Sequence, residues 1–162
     1  MLSLMKKLIV FSLFLCGIYS LSAQDISNHT IGLRLGANRG FGTEISYQMK
    51  LKSQNRAEFN LGWRTSNNVS AMKANGLYQW VWPLEQGFNW YAGVGAGLGS
   101  FSNSNTNGNS GTFVFAAGDV GIEYNFEFPL QASIDLRPEI GGNGYFDNGF
   151  GADLALSIRY RF

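Results

Sequence analysis

Residues Gly149 to Phe162 read GFGADLALSIRYRF, and this stretch decides the fold. Counting back from the carboxyl end, every second residue is apolar or aromatic: Phe162, Tyr160, Ile158, Leu156, Leu154, Ala152 and Phe150. The residues between them, Arg161, Arg159, Ser157, Ala155, Asp153 and Gly151, are polar or small. A period of two sets these groups on opposite faces of one β-strand. At about 3.3 Å per residue the segment crosses a hydrocarbon layer when tilted near 45°. Soluble antiparallel sheets also alternate, but a last strand of this length that closes on an aromatic residue is rare among them.

Seven more segments repeat the pattern. The seventh strand, LQASIDLRPEI, sets Leu130, Ala132, Ile134, Leu136 and Ile140 against Gln131, Ser133, Asp135, Arg137 and Glu139. Pro138 falls on its apolar face, where a bulge near the strand end is expected. The sixth, TFVFAAGDVGIEY, sets Val114, Val120 and Ile122 against Phe113, Phe115, Asp119 and Glu123. The fifth, FNWYAGVGAGLGS, turns Tyr91 and four glycines (Gly93, Gly95, Gly97, Gly99) to its second face, and these glycines make room for Tyr91, Phe113 or Phe115. In the fourth, AMKANGLYQWVW, Leu77 and Val81 share the face of Lys73, Asn75 and Gln79 and blur the alternation. The third, RAEFNLGWRT, separates Phe59, Leu61 and Trp63 from Glu58, Asn60 and Arg64. The second, FGTEISYQMKL, separates Ile45, Tyr47 and Met49 from Glu44, Ser46, Gln48 and Lys50. The first, TIGLRLGAN, separates Ile31, Leu33 and Leu35 from Arg34.

Between strands stand Asn38-Arg39-Gly40, Lys52 to Asn55, the loop Ser66 to Ser70, the turn Pro83 to Gly87, the polar loop Ser100 to Gly111, the turn Asn125 to Pro129, and Gly141 to Asn148. Short links alternate with longer ones rich in Asn, Gly and Ser, apart from the short first link. Outer-membrane barrels keep short turns in the periplasm and longer loops outside. Eight is an even number, so both termini meet on the periplasmic side and the sheet can close. The sequence thus predicts an all-β, eight-stranded antiparallel up-and-down transmembrane β-barrel with a filled polar lumen.

The sidedness follows from cost. Lipid offers backbone groups no partner, so closure of the sheet must supply one. A charge facing lipid near the midplane costs about 2–4 kcal/mol, which drives charges inward. The inward set holds the bases Arg34, Lys50, Arg64, Lys73, Arg137, Arg159 and Arg161, and the acids Glu44, Glu58, Asp119, Glu123, Asp135, Glu139 and Asp153. Seven of each sign give the neutral sum that a small, poorly hydrated interior demands. Lys50 and Arg161 lie near strand ends and reach toward interface water. The reverse sidedness, an apolar calyx within a soluble ligand carrier, is incompatible with fourteen interior charges. Eight strands enclose a space that side chains fill, so an open diffusion pore is not expected.

Composition agrees. Of 162 residues, 21 are Gly and only 3 Pro, and aromatics make 15%, a mix that suits strands, turns and interfacial girdles. Mean hydropathy of −0.06 leaves one apolar run, at the start. Lys6 and Lys7 precede the apolar segment Leu8 to Tyr19, and Leu21-Ser22-Ala23 supplies small residues, so an export signal cleaved between Ala23 and Gln24 is expected. Without Lys6 and Lys7 the remaining ten basic and eleven acidic residues nearly cancel, which argues against nucleic-acid partners. The single cysteine, Cys16, lies in the expected leader, so a disulfide or cysteine-based site is not expected after cleavage.

Candidate chemistry is sparse. Gly93 to Gly99 misses the phosphate-loop spacing because Ser100 stands where the last glycine would be, and no helix follows. His29 is the only histidine, so neither a Ser-His-acid triad nor a histidine metal cluster is expected, and no cofactor is implied. Asp135, Arg137 and Glu139 beside Asp153, Arg159 and Arg161 read as a salt-bridge lattice rather than a catalytic carboxylate pair. Trp80, Trp82, Trp90 and Tyr124 flank the short turns as a periplasmic aromatic girdle. Phe101, Tyr145 and Phe146 are the loop aromatics best placed to meet a partner.

On these residues the chain resembles the small eight-stranded outer-membrane barrels, of the OmpA/OmpX-like and "porin family" kind found in Gram-negative Bacteroidota. The resemblance rests on Leu21-Ser22-Ala23-Gln24, the eight alternating strands, and the terminal Ile158-Arg159-Tyr160-Arg161-Phe162. It implies residence among outer-membrane lipid. It also implies that Ile158, Tyr160 and Phe162 form the signal read by the barrel-assembly machinery. Two-domain members carry a peptidoglycan-binding domain, which is not expected beyond Phe162. Three roles stay open: a structural or surface-interaction barrel whose loops meet an unknown surface ligand, a lipid-modifying enzyme, and a narrow channel for small solutes.

Overall fold

A computed structural model describes residues 26–37, 42–66, 68–104, 110–141 and 149–162. They form β1 (His29–Gly36), β2 (Gly42–Lys52), β3 (Asn55–Ser66), β4 (Val69–Glu85), β5 (Phe88–Asn103), β6 (Ser110–Asn125), β7 (Leu130–Gly141) and β8 (Phe150–Arg161). Each strand pairs antiparallel with the next, and β1 pairs with β8, so the sheet closes into a barrel. The closing seam sets Ile31 opposite Tyr160, Leu33 opposite Ile158 and Leu35 opposite Leu156. That register keeps the apolar residues of both strands on one face, and a slip of one residue would send all of them to the other. Closure also leaves no edge of the cylinder unpaired.

The final strand shows which face is which. Leu154, Leu156 and Ile158 are 54%, 61% and 60% exposed, whereas Asp153 and Arg159 are 0% and 1% exposed. The same division runs around the wall. Leu33, Ile45, Leu61, Leu98, Val120 and Leu136 face outward, while Arg34, Glu44, Glu58, Asp119 and Arg137 are buried within. The barrel is therefore inverted relative to a water-soluble one, with its apolar surface outside and its charges enclosed.

Several connections differ from the expectation. The polar run Ser100 to Gly111 is strand at both ends, with Ser100 opposite Thr112, Phe101 opposite Gly111 and Ser102 opposite Ser110. Within Ser66 to Ser70, Ser66 pairs with Val69, and Asn68 turns the chain at φ 69°. Composition misleads at both places because Ser and Asn carry the same backbone donors and acceptors as any residue. A ladder already in register therefore runs on through them. The expected turn Pro83 to Gly87 is mostly the end of β4, which shifts register between Pro83 and Glu85 and reverses at Gln86-Gly87. Gly87 supplies the left-handed φ of 82° that this reversal needs.

No bulge forms at Pro138. Leu136 faces Val120 and Glu139 faces Ala117 in a single unbroken register. The β6–β7 ladder omits the pairs between them, as a residue without an N–H requires. Gly118 gives the ring space, since a Cβ there would stand 3.2 Å from Pro138 Cγ. The turn Asn38-Arg39-Gly40, residues 105–109 of the polar loop, and Tyr145 and Phe146 lie outside the described residues, as does the Ala23–Gln24 cleavage point.

Candidate functional site

The lumen is the most constrained part of the molecule. Twelve of the fourteen charges expected in it are buried: Arg34, Glu44, Glu58, Arg64, Lys73, Asp119, Glu123, Asp135, Arg137, Glu139, Asp153 and Arg159. Strand geometry accounts for this, because each occupies the parity opposite the outward Leu, Ile, Val and Phe. Arg56 joins them at 1% exposure. It is not among the expected lumenal charges, although it stands two residues before Glu58 and so shares its face. Lys50 and Arg161, the two bases expected inside near strand ends, are half-buried at the rim. Arg161 Nη2 donates to the carbonyls of Phe126 and Phe128 at 2.6 and 3.2 Å. Six bases and seven acids are thus buried among the described residues.

These charges cross-link distant strands. Arg34 on β1 donates through Nη2 and Nε to Asp135 of β7 at 2.5 and 3.0 Å, and through Nη1 to Asp153 of β8 at 2.8 Å and Glu44 of β2 at 3.3 Å. Arg137 on β7 reaches across to Glu58 of β3 at 2.9 Å and to Glu44 at 3.3 Å. Lys73 on β4 donates to Glu139 of β7 at 2.5 Å. Arg56 on β3 donates to Glu123 of β6 at 2.7 Å and to Gln79 at 2.6 Å, and its guanidinium lies 4.8 Å from the Tyr91 ring centre. Arg159 spans Ser46 and Ser133 at 2.9 and 2.8 Å. Arg64 makes the longest of these contacts, 3.6 Å to Asp153. Guanidinium forks suit this work because their five donors are rigid and can serve several carboxylates at once.

Apolar side chains close the lattice at each end, and Phe113, Phe115 and Tyr91, the rings expected inside, are among them. Toward the loops, Phe113 and Phe115 pack with Ala71, Leu77 and Ala117, with Phe101 against them. Gly97 and Gly99 of β5 admit these rings. A Cβ on Gly99 would stand 2.5 Å from Phe113, and one on Gly97 would strike Phe115. Toward the termini, Ile26, Val81 and Tyr91 form a second cluster. Tyr91 is accommodated by Gly121 of β6 rather than by a β5 glycine. Leu77 and Val81, the two residues that blurred the fourth strand, are therefore packing residues of these two caps. A cavity of about 10 Å³ beside Glu44, Gly62 and Lys73 has room for at most a single water.

The rim carrying the chain termini is aromatic. Trp82 stacks on Trp90 with ring centres 4.4 Å apart, Tyr78 meets Trp80 edge-on at 4.9 Å, and Phe88 and Tyr124 lie 4.6 Å apart. Tyr124 continues to Phe126 at 4.8 Å. Ile158, Tyr160 and Phe162 are 60%, 55% and 61% exposed on the outer face, and Tyr160 and Phe162 stack 6.2 Å apart. His29 stands in the same rim between Tyr47 and Phe162, with Nδ1 2.8 Å from the Tyr47 hydroxyl. Its neighbours are rings rather than a serine and a carboxylate.

No protein-family model and no curated protein sequence matches the chain. Solved structures do. The N-terminal β-barrel domain of Pseudomonas aeruginosa OprF superposes with a TM-score of 0.73 at 14% identity, over 84% of this chain and 98% of that one. Neisserial surface protein A gives 0.64 at 13%, over 83% and 94%. Ail, the attachment invasion locus protein of Yersinia pestis, gives 0.58 at 15%, over 84% and 97%. The chain has the fold of these small outer-membrane β-barrels.

Proposed function

We propose, from a fold shared with small outer-membrane barrels, that this protein resides in a bacterial outer membrane as a closed barrel with a structural or surface-interaction role, and that it is neither an enzyme nor an open pore. The observation that carries the reading is the inverted sidedness. Exposed Leu, Ile, Val and Phe cover the outer wall, and thirteen buried charges lie within. Water would penalise the first feature and lipid would penalise its reverse. The paired lattice and its two apolar caps support a blocked lumen. His29 among aromatic rings supports the absence of hydrolytic chemistry.

In this reading the signal is cleaved between Ala23 and Gln24. The assembly machinery engages Ile158, Tyr160 and Phe162, and the rim of Trp80, Trp82, Trp90 and Tyr124 sits at the inner interface. The loops on the opposite rim present the surface to any external partner.

Membrane fractionation combined with gel mobility before and after boiling tests this proposal. The expected result is recovery in the outer membrane with a band that shifts on heating, together with no conductance above background in planar bilayers. Recovery in the soluble periplasmic fraction without a heat-dependent shift would refute the membrane reading. Stable unitary currents would refute the blocked lumen alone.

A further inference from the structure

The two caps of the lumen are built differently. At the loop end Ala71, Leu77, Phe113, Phe115 and Ala117 all belong to β4 and β6, so the sheet holds their backbone in place. At the other end Val81 of β4 and Tyr91 of β5 stand opposite one another and are buried. The third member of that cap, Ile26, precedes β1 and belongs to no strand. It is 7% exposed all the same.

The topology shows what Ile26 must do to get there. In a ring of eight strands β1 and β5 lie on opposite sides, and β4 is one place short of that. The chain is fixed at His29, whose N–H donates to the Phe162 carbonyl at 3.2 Å and whose carbonyl accepts from Phe162 N at 2.9 Å. It is fixed again at Asn28, whose carbonyl accepts from Lys50 N at 2.8 Å. Three residues reach at most about 10 Å, so Ile26 sets out from the β1 side and crosses the mouth to meet the Val81 and Tyr91 wall. Beside that contact Arg56 lies 4.8 Å from the Tyr91 ring centre and pairs with Glu123 at 2.7 Å, and Asn89 donates to Glu123 at 3.1 Å. Arg56, Asn89 and Glu123 are each buried, at the end of the lumen that Ile26 covers.

Little holds this crossing segment down. Among the described residues, the bond from Lys50 N to the Asn28 carbonyl is the one backbone bond that residues 26–28 make. Burial of one isoleucine side chain favours the seated arrangement by about 10–100-fold. The segment is then unseated about 1–10% of the time, a minor state of ordinary size. The loop-end cap has no such freedom, because lifting any of its members means breaking the ladders of β4 or β6.

We infer that Ile26 is a removable stopper: when it lifts, water enters the terminal half of the lumen while the loop-end cap stays shut. The barrel then has a vestibule at the end that carries its termini, and no passage through it. The inference rests on the blocked lumen proposed above and adds that one of its two seals opens.

Thiol labelling of the folded full chain in detergent micelles, where both mouths face water, tests this. In a Cys16→Ser background, thiols are introduced singly by Val81→Cys and Thr30→Cys near the stopper and by Ala71→Cys in the loop-end cap. Each is then reacted with a water-soluble maleimide. Adding Ile26→Ser is expected to speed labelling near the stopper about tenfold, since the rate follows the open population when opening is fast. Labelling at position 71 and the heat-dependent gel shift are expected to stay as they were. Ile26→Leu, which keeps an apolar side chain of the same size, is expected to label like the parent. Unchanged rates at both positions 81 and 30, or an equal rise at all three positions, would overturn the inference. The Ile26→Ser chain is expected to remain silent in planar bilayers. Currents from that variant alone would refute an opening confined to one end, whereas currents from the unaltered chain would refute the blocked lumen itself.

Discussion

Replacing Arg34 by Met is expected to destabilise the barrel by about 3–5 kcal/mol, the cost of removing one partner from a buried ion pair. Arg34 is 0% exposed and contacts carboxylates from three other strands. After the change, Glu44 keeps Lys73 at 3.4 Å and Arg137 at 3.3 Å, and Asp153 keeps Arg64 at 3.6 Å. Asp135 loses the guanidinium that its carboxylate grips through both Nη2 and Nε. Its charge then stays in the lumen without that partner, and desolvation is no longer offset. Urea titration of the vesicle-inserted protein, followed by the heat-dependent gel shift, measures the loss. Arg34→Lys should fall between the two, because it restores the charge but not the fork. A Met variant within about 0.5 kcal/mol of the parent, the range of inconsequential substitutions, would show that the lattice is not a brace.

Gly32→Ala should cost about 3 kcal/mol, the upper end of the usual penalty for overpacking, and should act at the seam where the barrel closes. Gly32 on β1 faces Arg159 on β8. A Cβ at Gly32 would collide with the backbone carbonyl of Ile158 and stand 2.5 Å from the Cα of Arg159. Backbone cannot swing aside as a side-chain tip can, so the seam must open to admit the methyl group. Gly76→Ala is the matched control. Its Cβ would meet only the Phe59 ring, at 3.5 Å, which is ordinary contact. With no strain to offset it, the restricted unfolded chain should make this variant neutral or more stable by about 0.4–1 kcal/mol. Folding yield and urea midpoint of the two variants decide the matter. Equal behaviour would mean that the close approach of β1 to β8 is not a constraint.

The parts legible in the sequence were those governed by period two. Leu154, Leu156 and Ile158 alternate with Asp153, Ser157 and Arg159, and cost alone decides which set meets lipid. Strand number and closure followed from repeating that reading. Strand ends were less legible. Ser100, Ser102 and Ser110 look like loop residues, yet they are paired because a ladder is extended by backbone groups. Pro138 suggested a bulge, but the space that lets the register continue comes from Gly118 on a neighbouring strand.

The lumen shows the same limit. Parity sorted its charges, and it would have included Arg56 had it been applied to the first turn of the third strand. Parity could not say that Arg34 reaches Asp135 or that Arg137 reaches Glu58. Those pairs depend on the closed circumference and on side chains meeting across it. Leu77 and Val81 looked like defects for a related reason. Their partners, Phe113 on β6 and Ile26 before β1, are remote in the chain.

Spin labels on the outer face of β8 test the sidedness most directly. In a Cys16→Ser background, single cysteines replace Leu154, Leu156 or Ile158, carry a nitroxide, and are measured in phosphatidylcholine vesicles. Oxygen, which dissolves in hydrocarbon, should relax all three labels strongly, and a water-soluble nickel chelate should scarcely reach them. Relaxation by the chelate in place of oxygen would put these residues in water, and a barrel with its apolar wall in lipid would be contradicted.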